Sequence, residues 1–229
     1  MIATSRFVFL HLHKSGGTFV NQWLLRFFPD ARQIGYHLPR RLIPPQFADL
    51  PVLGLVRNPW SYYVSWYAFQ AGMTRPNALF LTLSDGGRLG FEGTIANMLE
   101  LGSNGSHLDR LVAALPPSYG KSGLNLPGPE LSAIAGTGLG FYSFLYRYMY
   151  GAAAARIARM EHMRDELPRL LGEVGETAGE QALSYLRAAP ATNTTAHRPY
   201  QDYYPDALRD LVAERDSAVI ERHGYHFGG

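Results

Sequence analysis

Residues 10–19 read LHLHKSGGTF, the point at which an apolar run stops and an amphipathic one begins. Ahead of it, RFVFLHLH (6–13) is apolar and of strand length, with the predicted strand over Phe7 to Leu12. After it, TFVNQWLLRFF places Phe19, Val20, Trp23, Leu24, Phe27 and Phe28 at the intervals of a helix that buries one face. Strand, glycine turn and helix make the first half of a βα unit. The pattern then recurs. PVLGLV (51–56) is a continuous apolar run of the kind buried in a parallel sheet, and RNPWSYYVSWYAFQ follows it. Asn58 is a natural N-cap there and Pro59 a natural first helical residue. ARIARM (155–160) reads as a third strand before a helix in EHMRDELPRLL. A last helix enters at Pro205 and closes at Gly224. The expectation is an α/β fold, with a central parallel sheet flanked by helices.

Residues 70–140 differ in character. LSDGGRLGFEG and LPPSYGKSGLNLPGPE are rich in Gly, Pro and Ser, which predicts loops with one or two short helices such as one around Thr94 to Leu101. This stretch reads as an insertion or lid on a single domain spanning 1–229. A chain of 229 residues supports one sizeable core.

Composition excludes several classes. With 46% hydrophobic and 17% charged residues the chain is not a disordered tail, and no run approaches the length of a bilayer span. A net charge of +2, without a cluster of four or more Lys/Arg, argues against nucleic acid as a partner. The absence of cysteine removes disulfides and thiolate metal sites. The eight histidines show no ligand spacing, so no metal is expected. The first residues lack the pattern of a secretory signal, and the expected location is the cytoplasm.

The junction itself has the composition of an anion site. A helix N-terminus exposes backbone N–H groups and a partial positive charge, and a nearby lysine adds a movable full charge. Lys14 to Thr18 supply these parts, but Lys14 precedes the glycines, unlike the GxxxxGK[ST] order of a Walker A loop. A second cation, Arg57, stands at the end of the second long strand, with Ser65 about two helical turns beyond it. Ligands of open α/β sheets bind at that carboxyl edge.

These residues resemble the sulfotransferases that use 3′-phosphoadenosine 5′-phosphosulfate (PAPS), in the branch that sulfates carbohydrates. FLHLHKSGGTF resembles their 5′-phosphosulfate loop. RNPWSYYVSWY resembles their 3′-phosphate motif, through Arg57, Asn58, Pro59, Ser65 and Tyr67. RMEHMRDELPRLL and TNTTAHRPYQDYYPDALRDLV resemble later segments, and about half the chain is covered in all. The resemblance implies a P-loop-like three-layer fold. It also implies that Lys14, Ser15, Gly16, Gly17 and Thr18 hold the 5′-phosphosulfate, with Phe19 opening the helix behind them. Arg57 and Ser65 would hold the 3′-phosphate, and Arg198 and Tyr200 would close over the nucleotide. One departure is Tyr62, where many relatives carry a second basic residue.

The implied reaction moves a sulfuryl group to a hydroxyl acceptor, most plausibly on a carbohydrate or glycolipid, and leaves 3′-phosphoadenosine 5′-phosphate (PAP). Lys14 would stabilise the leaving phosphate. His37 is the implied general base, with His11, His13 and His197 as alternatives. An atypical P-loop kinase or nucleotidase, or a nucleotide-binding module without catalysis, are the competing readings. The tyrosines of FYSFLYRYMYG (141–151) suit either a core or a sugar-binding wall.

Overall fold

The computed structural model describes residues 1–121, 123–190 and 197–229. The elements begin with β1 (Ile2–Ala3), β2 (Val8–Leu10), α1 (Gly17–Phe27), β3 (Arg32–Gln33), β4 (Val52–Val56) and α2 (Pro59–Ala71). Four helices follow, α3 (Ala78–Leu83), α4 (Phe91–Leu99), α5 (Gly105–Ala114) and α6 (Gly128–Leu131). The chain continues through α7 (Phe141–Tyr150), β5 (Arg156–Arg159), α8 (Met163–Glu173), α9 (Glu180–Ala188), α10 (Asp206–Arg215) and α11 (Ser217–His223). This is an α/β fold. The described residues divide into two compact units, one of residues 1–57, 121–125 and 146–194, the other of 58–120, 126–145 and 195–229.

The first unit holds a five-stranded sheet in the order β3-β1-β2-β4-β5. β2, β4 and β5 are parallel, and Val8, Phe9 and Leu10 face Val52, Leu53 and Gly54 in register. The expectation of a wholly parallel sheet is corrected by β1, which pairs antiparallel with both β2 and β3 and makes the sheet mixed. The cause is a tight turn that carries none of the usual glycine signals. Thr4 Oγ1 accepts from the amides of Arg6 (3.1 Å) and Phe7 (3.0 Å), and Thr4 N–H donates to the Phe7 carbonyl (3.0 Å). A threonine side chain thus folds Ile2–Ala3 back onto the strand behind it. The strand before the glycine turn is also shorter than expected, ending at Leu10.

One face of the sheet buries Phe7, Phe9, Leu53 and Leu55 against Phe19, Val20, Trp23 and Leu24 of α1, with Leu167, Leu170 and Leu171 of α8 and Leu186 of α9. The stripe read in the sequence is the stripe that packs. Trp23 Nε1 donates to the Ala182 carbonyl (2.9 Å), so the one polar atom of that buried indole is satisfied. Gly54 lies beneath Tyr150, whose ring a Cβ there would meet at 2.3 Å. The Tyr150 hydroxyl lies 2.7 Å from the Leu55 carbonyl, to which it donates, and accepts from the Leu55 amide (3.1 Å). Tyr150 is therefore a structural brace on β4.

The second unit is helical. Residues 78–131 form α3 to α6, more helix than the loop composition suggested. Asn77 and Asn104 cap α3 and α5 by accepting from the amides of Phe80 and His107. α2 starts as expected, with Asn58 Oδ1 accepting from Ser61 N–H (3.3 Å) and Pro59 as first helical residue. Its aromatics fill a core, since Trp60, Tyr62, Tyr63 and Trp66 are buried. Tyr62 stacks on Tyr142 with centroids 4.1 Å apart, a packing residue of this core.

The expected last helix is broken at Asp216, which separates α10 from α11. Asp216 is fully buried, accepting from the Tyr63 hydroxyl (2.7 Å) and from the Ser143 amide (2.8 Å). Tyr63 Oη in turn accepts from the Tyr142 amide (3.1 Å). Two side chains distant in sequence thus cap the first turn of α7. Burial pushes the Asp216 carboxyl up to about 6, against the hydrogen bonds that hold it down. Tyr63→Phe leaves a buried carboxylate and a buried amide each short of one partner. It is expected to destabilise the fold by about 2 kcal/mol or more, read as a lowered urea midpoint. An unchanged midpoint removes Tyr63 from the network.

Among the described residues, no helix is long and apolar enough to cross a membrane.

Candidate functional site

The site of the first unit is built where β2 ends. His11 and His13 are buried, and the chain then turns through Lys14 (φ 53°) and Gly16 (φ 78°) into α1. Both residues are left-handed, a region that costs a non-glycine residue about 1–2 kcal/mol. Lysine in that conformation is an observed strain at a residue singled out for chemistry. Gly16 is the N-cap of α1, with no side-chain cap on the first turn and no acidic residue within it. The eleven-residue α1 therefore starts from a glycine that offers no side-chain cap, and its first turn holds no acid. Ser15 is fully buried, and its hydroxyl donates to the His13 carbonyl (3.1 Å), which tightens the loop.

The two glycines have separate tasks. Gly16 permits the left-handed turn, and a Cβ there would lie 3.1 Å from Met160 Cγ. Gly17 makes room for a neighbour in the fold, because its Cβ would stand 2.0 Å from His11 Cδ2. The ring of His11 occupies the space that the absent side chain of Gly17 leaves. Thr18 is the second residue of α1. Phe19 contributes its ring to the core, and its amide donates to the Gly16 carbonyl (3.1 Å).

Arg57, immediately after β4, reaches this loop. Its Nη1 donates to the Lys14 carbonyl (3.0 Å), so the cation of the second motif is fastened to the backbone of the first. The parallel pairing of β2 with β4 makes this contact, since it brings the ends of the two strands to one edge. Burial, and then the nearby Arg57 charge, push the Lys14 ammonium down to about 8.

His37 lies beside the same loop. Its ring stacks on His13, the residue before Lys14, with centroids 3.6 Å apart and planes 16° apart. It also lies 4.1 Å from the His11 ring and 4.2 Å from Tyr36. His37 Nδ1 is 2.6 Å from the His11 carbonyl. A carbonyl only accepts, so Nδ1 carries the proton and Nε2 keeps its lone pair. His37 is itself left-handed (φ 50°), and the Tyr36 carbonyl beside it accepts from Asn125 Nδ2 (2.6 Å). Burial, followed by the neighbouring histidines, holds the His37 pKa well below the usual range, and burial does the same for His11. His13 is lowered to about 4 by burial. All three rings are therefore neutral near pH 7.

The remaining expected site residues belong to the second unit. Ser65 is buried in α2. Arg198 is exposed, with its guanidinium 5.0 Å from the Tyr203 ring centroid. Tyr200 Oη accepts from the Gly228 amide (2.7 Å). His197 is exposed, with Nδ1 2.7 Å from the Arg198 carbonyl. The start of the loop that resembles a nucleotide-contacting segment, 191–196, lies outside the described residues. Of the tyrosines of 141–150, Tyr142 and Tyr150 are buried packing residues, and the half-buried Tyr148 lies under the Arg41 guanidinium at 5.2 Å.

Tyr36, Asn21 and Asn125 were not singled out from sequence. Asn21 carried a usable signal, a polar residue on the apolar stripe of α1, and its amide lies 3.3 Å from His11 Nδ1. Asn125 carried none, because its partner is 89 residues away. Among the described residues, no group of three or more His, Asp or Glu is arranged to hold a metal ion. Comparison with family models and with curated proteins returns no match.

Proposed function

We propose that this chain is a PAPS-dependent sulfotransferase that transfers a sulfuryl group to the hydroxyl of a carbohydrate or glycolipid, on a P-loop-like three-layer scaffold. The observation that carries the reading is the hydrogen bond from Arg57 to the Lys14 carbonyl, which joins the two motifs at one sheet edge. The residues fit an anionic nucleotide: an uncapped helix start without acids, a lysine and an arginine. PAPS, when bound, supplies the sulfuryl group, whose bond to the 5′-phosphate breaks as the bond to the acceptor oxygen forms.

The chain's own residues have separate roles in this proposal. Lys14 and the first amides of α1 offset the charge that develops on the leaving phosphate. Arg57 fixes the loop and adds a second charge; the resemblance assigns Ser65 to the 3′-phosphate and Arg198 and Tyr200 to the nucleotide. His37 Nε2 takes the acceptor's proton, which requires the neutral imidazole that burial favours.

PAP titrated into the protein by calorimetry is expected to bind at micromolar affinity or better. Arg57→Ala should weaken it at least tenfold, and EDTA should leave it unchanged. Tighter binding of ATP with magnesium would overturn the proposal in favour of a phosphoryl-transfer enzyme.

A further inference from the structure

His13 is the anomaly of the first unit. The residue is nine-tenths buried, and among the described residues neither Nδ1 nor Nε2 has a hydrogen-bond partner. The backbone of Gly123 and Leu124 lies beside it without making a well-formed bond to either nitrogen. A buried polar atom left unpaired costs about 1–3 kcal/mol, so an imidazole here is a poor choice for the core alone. What His13 does make is a face-to-face contact with His37, 3.6 Å between centroids and 16° between planes.

That contact meets a need the rest of the site leaves open. The χ2 torsion of histidine is broad and roughly two-fold, so a ring held at one atom can still turn about it. The His11 carbonyl holds His37 only at Nδ1. A flat ring against its face blocks the rotation that would carry Nδ1 away from that carbonyl. We propose that His13 is a positioning residue: by stacking on His37 it holds the imidazole in the plane and tautomer that leave Nε2 open to the acceptor hydroxyl. The link to the acceptor rests on the proposed sulfotransferase reading, whereas the clamp itself does not. Among the described residues the titratable groups facing His37 are His11, His13, Tyr36 and the Met1 amino group, and none of them is a carboxylate that could fix the ring instead.

The test is ¹⁵N NMR of the full chain labelled at histidine, with each ring assigned by single substitution. Wild type should show His37 as a single Nδ1–H tautomer, neutral from pH 7 down to below 6. His13→Ala should give mixed tautomers and an upward shift of the His37 pKa toward 6.5. His13→Phe keeps a flat ring and should restore the single tautomer. Under turnover, the acid limb of kcat/KM should move to higher pH in His13→Ala and return in His13→Phe. A folded His13→Ala with the wild-type tautomer and pKa overturns the clamp. Should that variant not fold, an Nε2–H tautomer or a pKa near 6.5 for His37 in wild type overturns it equally. If the tautomers behave as expected but PAPS is not turned over, the clamp stands and the sulfotransferase reading falls.

Discussion

Lys14→Ala is expected to lower PAPS turnover by about 10²–10³-fold, the usual loss when a donor that stabilises developing negative charge is removed. Lys14 stands two residues before Gly16, the N-cap of α1, and its carbonyl is held by Arg57. The left-handed backbone of Lys14 (φ 53°) suggests a second variant, Lys14→Asn, because asparagine tolerates that conformation and carries no charge. Both variants should lose turnover alike, whereas Lys14→Arg should retain a measurable part. With the ammonium at about 8 in the free protein, Lys14 is mostly protonated at pH 7. PAP affinity should therefore hold below pH 8 and fall above it, by up to about tenfold per pH unit, as the free protein loses the proton that the complex keeps. Turnover in Lys14→Asn within threefold of wild type would remove Lys14 from the chemistry.

Acid is expected to destabilise this fold earlier than it does most proteins: the buried Met1 amino group, lowered to about 5, contributes from near pH 8 and the histidine cluster from near pH 6.5. His13, His11 and His37 are buried neutral, so the unfolded chain binds protons that the folded chain does not. For a base whose folded pKa is lowered, stability is present above the unfolded value and is lost as pH falls toward the folded one. His13 alone, lowered to about 4, accounts for about 3 kcal/mol across that window. His11 and His37 act in the same direction. Asp216 opposes them. Its carboxyl, raised to about 6, takes up a proton in the folded state first, so folding gains about 3 kcal/mol as pH falls toward the ordinary carboxylate value. The three histidines begin to titrate at higher pH and outnumber it, so the net effect between pH 6.5 and 5 is a loss. Urea unfolding at a series of pH values measures it. A stability that is flat or rising between pH 6.5 and 5 would mean that the histidine cluster is hydrated or already charged.

Much of this was legible because it was local. The stripe Phe19, Val20, Trp23 and Leu24 needs only the helical period to be seen, and it is the face that packs on the sheet. Asn58 and Pro59 act within one turn of themselves, as caps must. Gly224 ends α11 in the left-handed conformation that glycine allows. The continuous apolar run at 52–56 marks a strand between two others. By contrast, β1 and β3 have two residues each, too few for any period to register. The pairing of β1 with β2 came from a threonine turn. The four helices of 78–131 were obscured by the glycines and prolines at their ends, where asparagine caps and packing decide the outcome.

The sequence by itself determined the strand-turn-helix units, the cationic loop at Lys14 and the arginine after β4, since each depends on residues close along the chain. Only the tertiary structure decided what those parts meet. It put Arg57 on the Lys14 carbonyl, filled the space at Gly17 with His11, stacked His13 on His37 and broke the last helix at Asp216 to cap α7. Burial, close contact and pKa are properties of neighbours in space, and Trp23 and Ala182, 159 residues apart, are such neighbours.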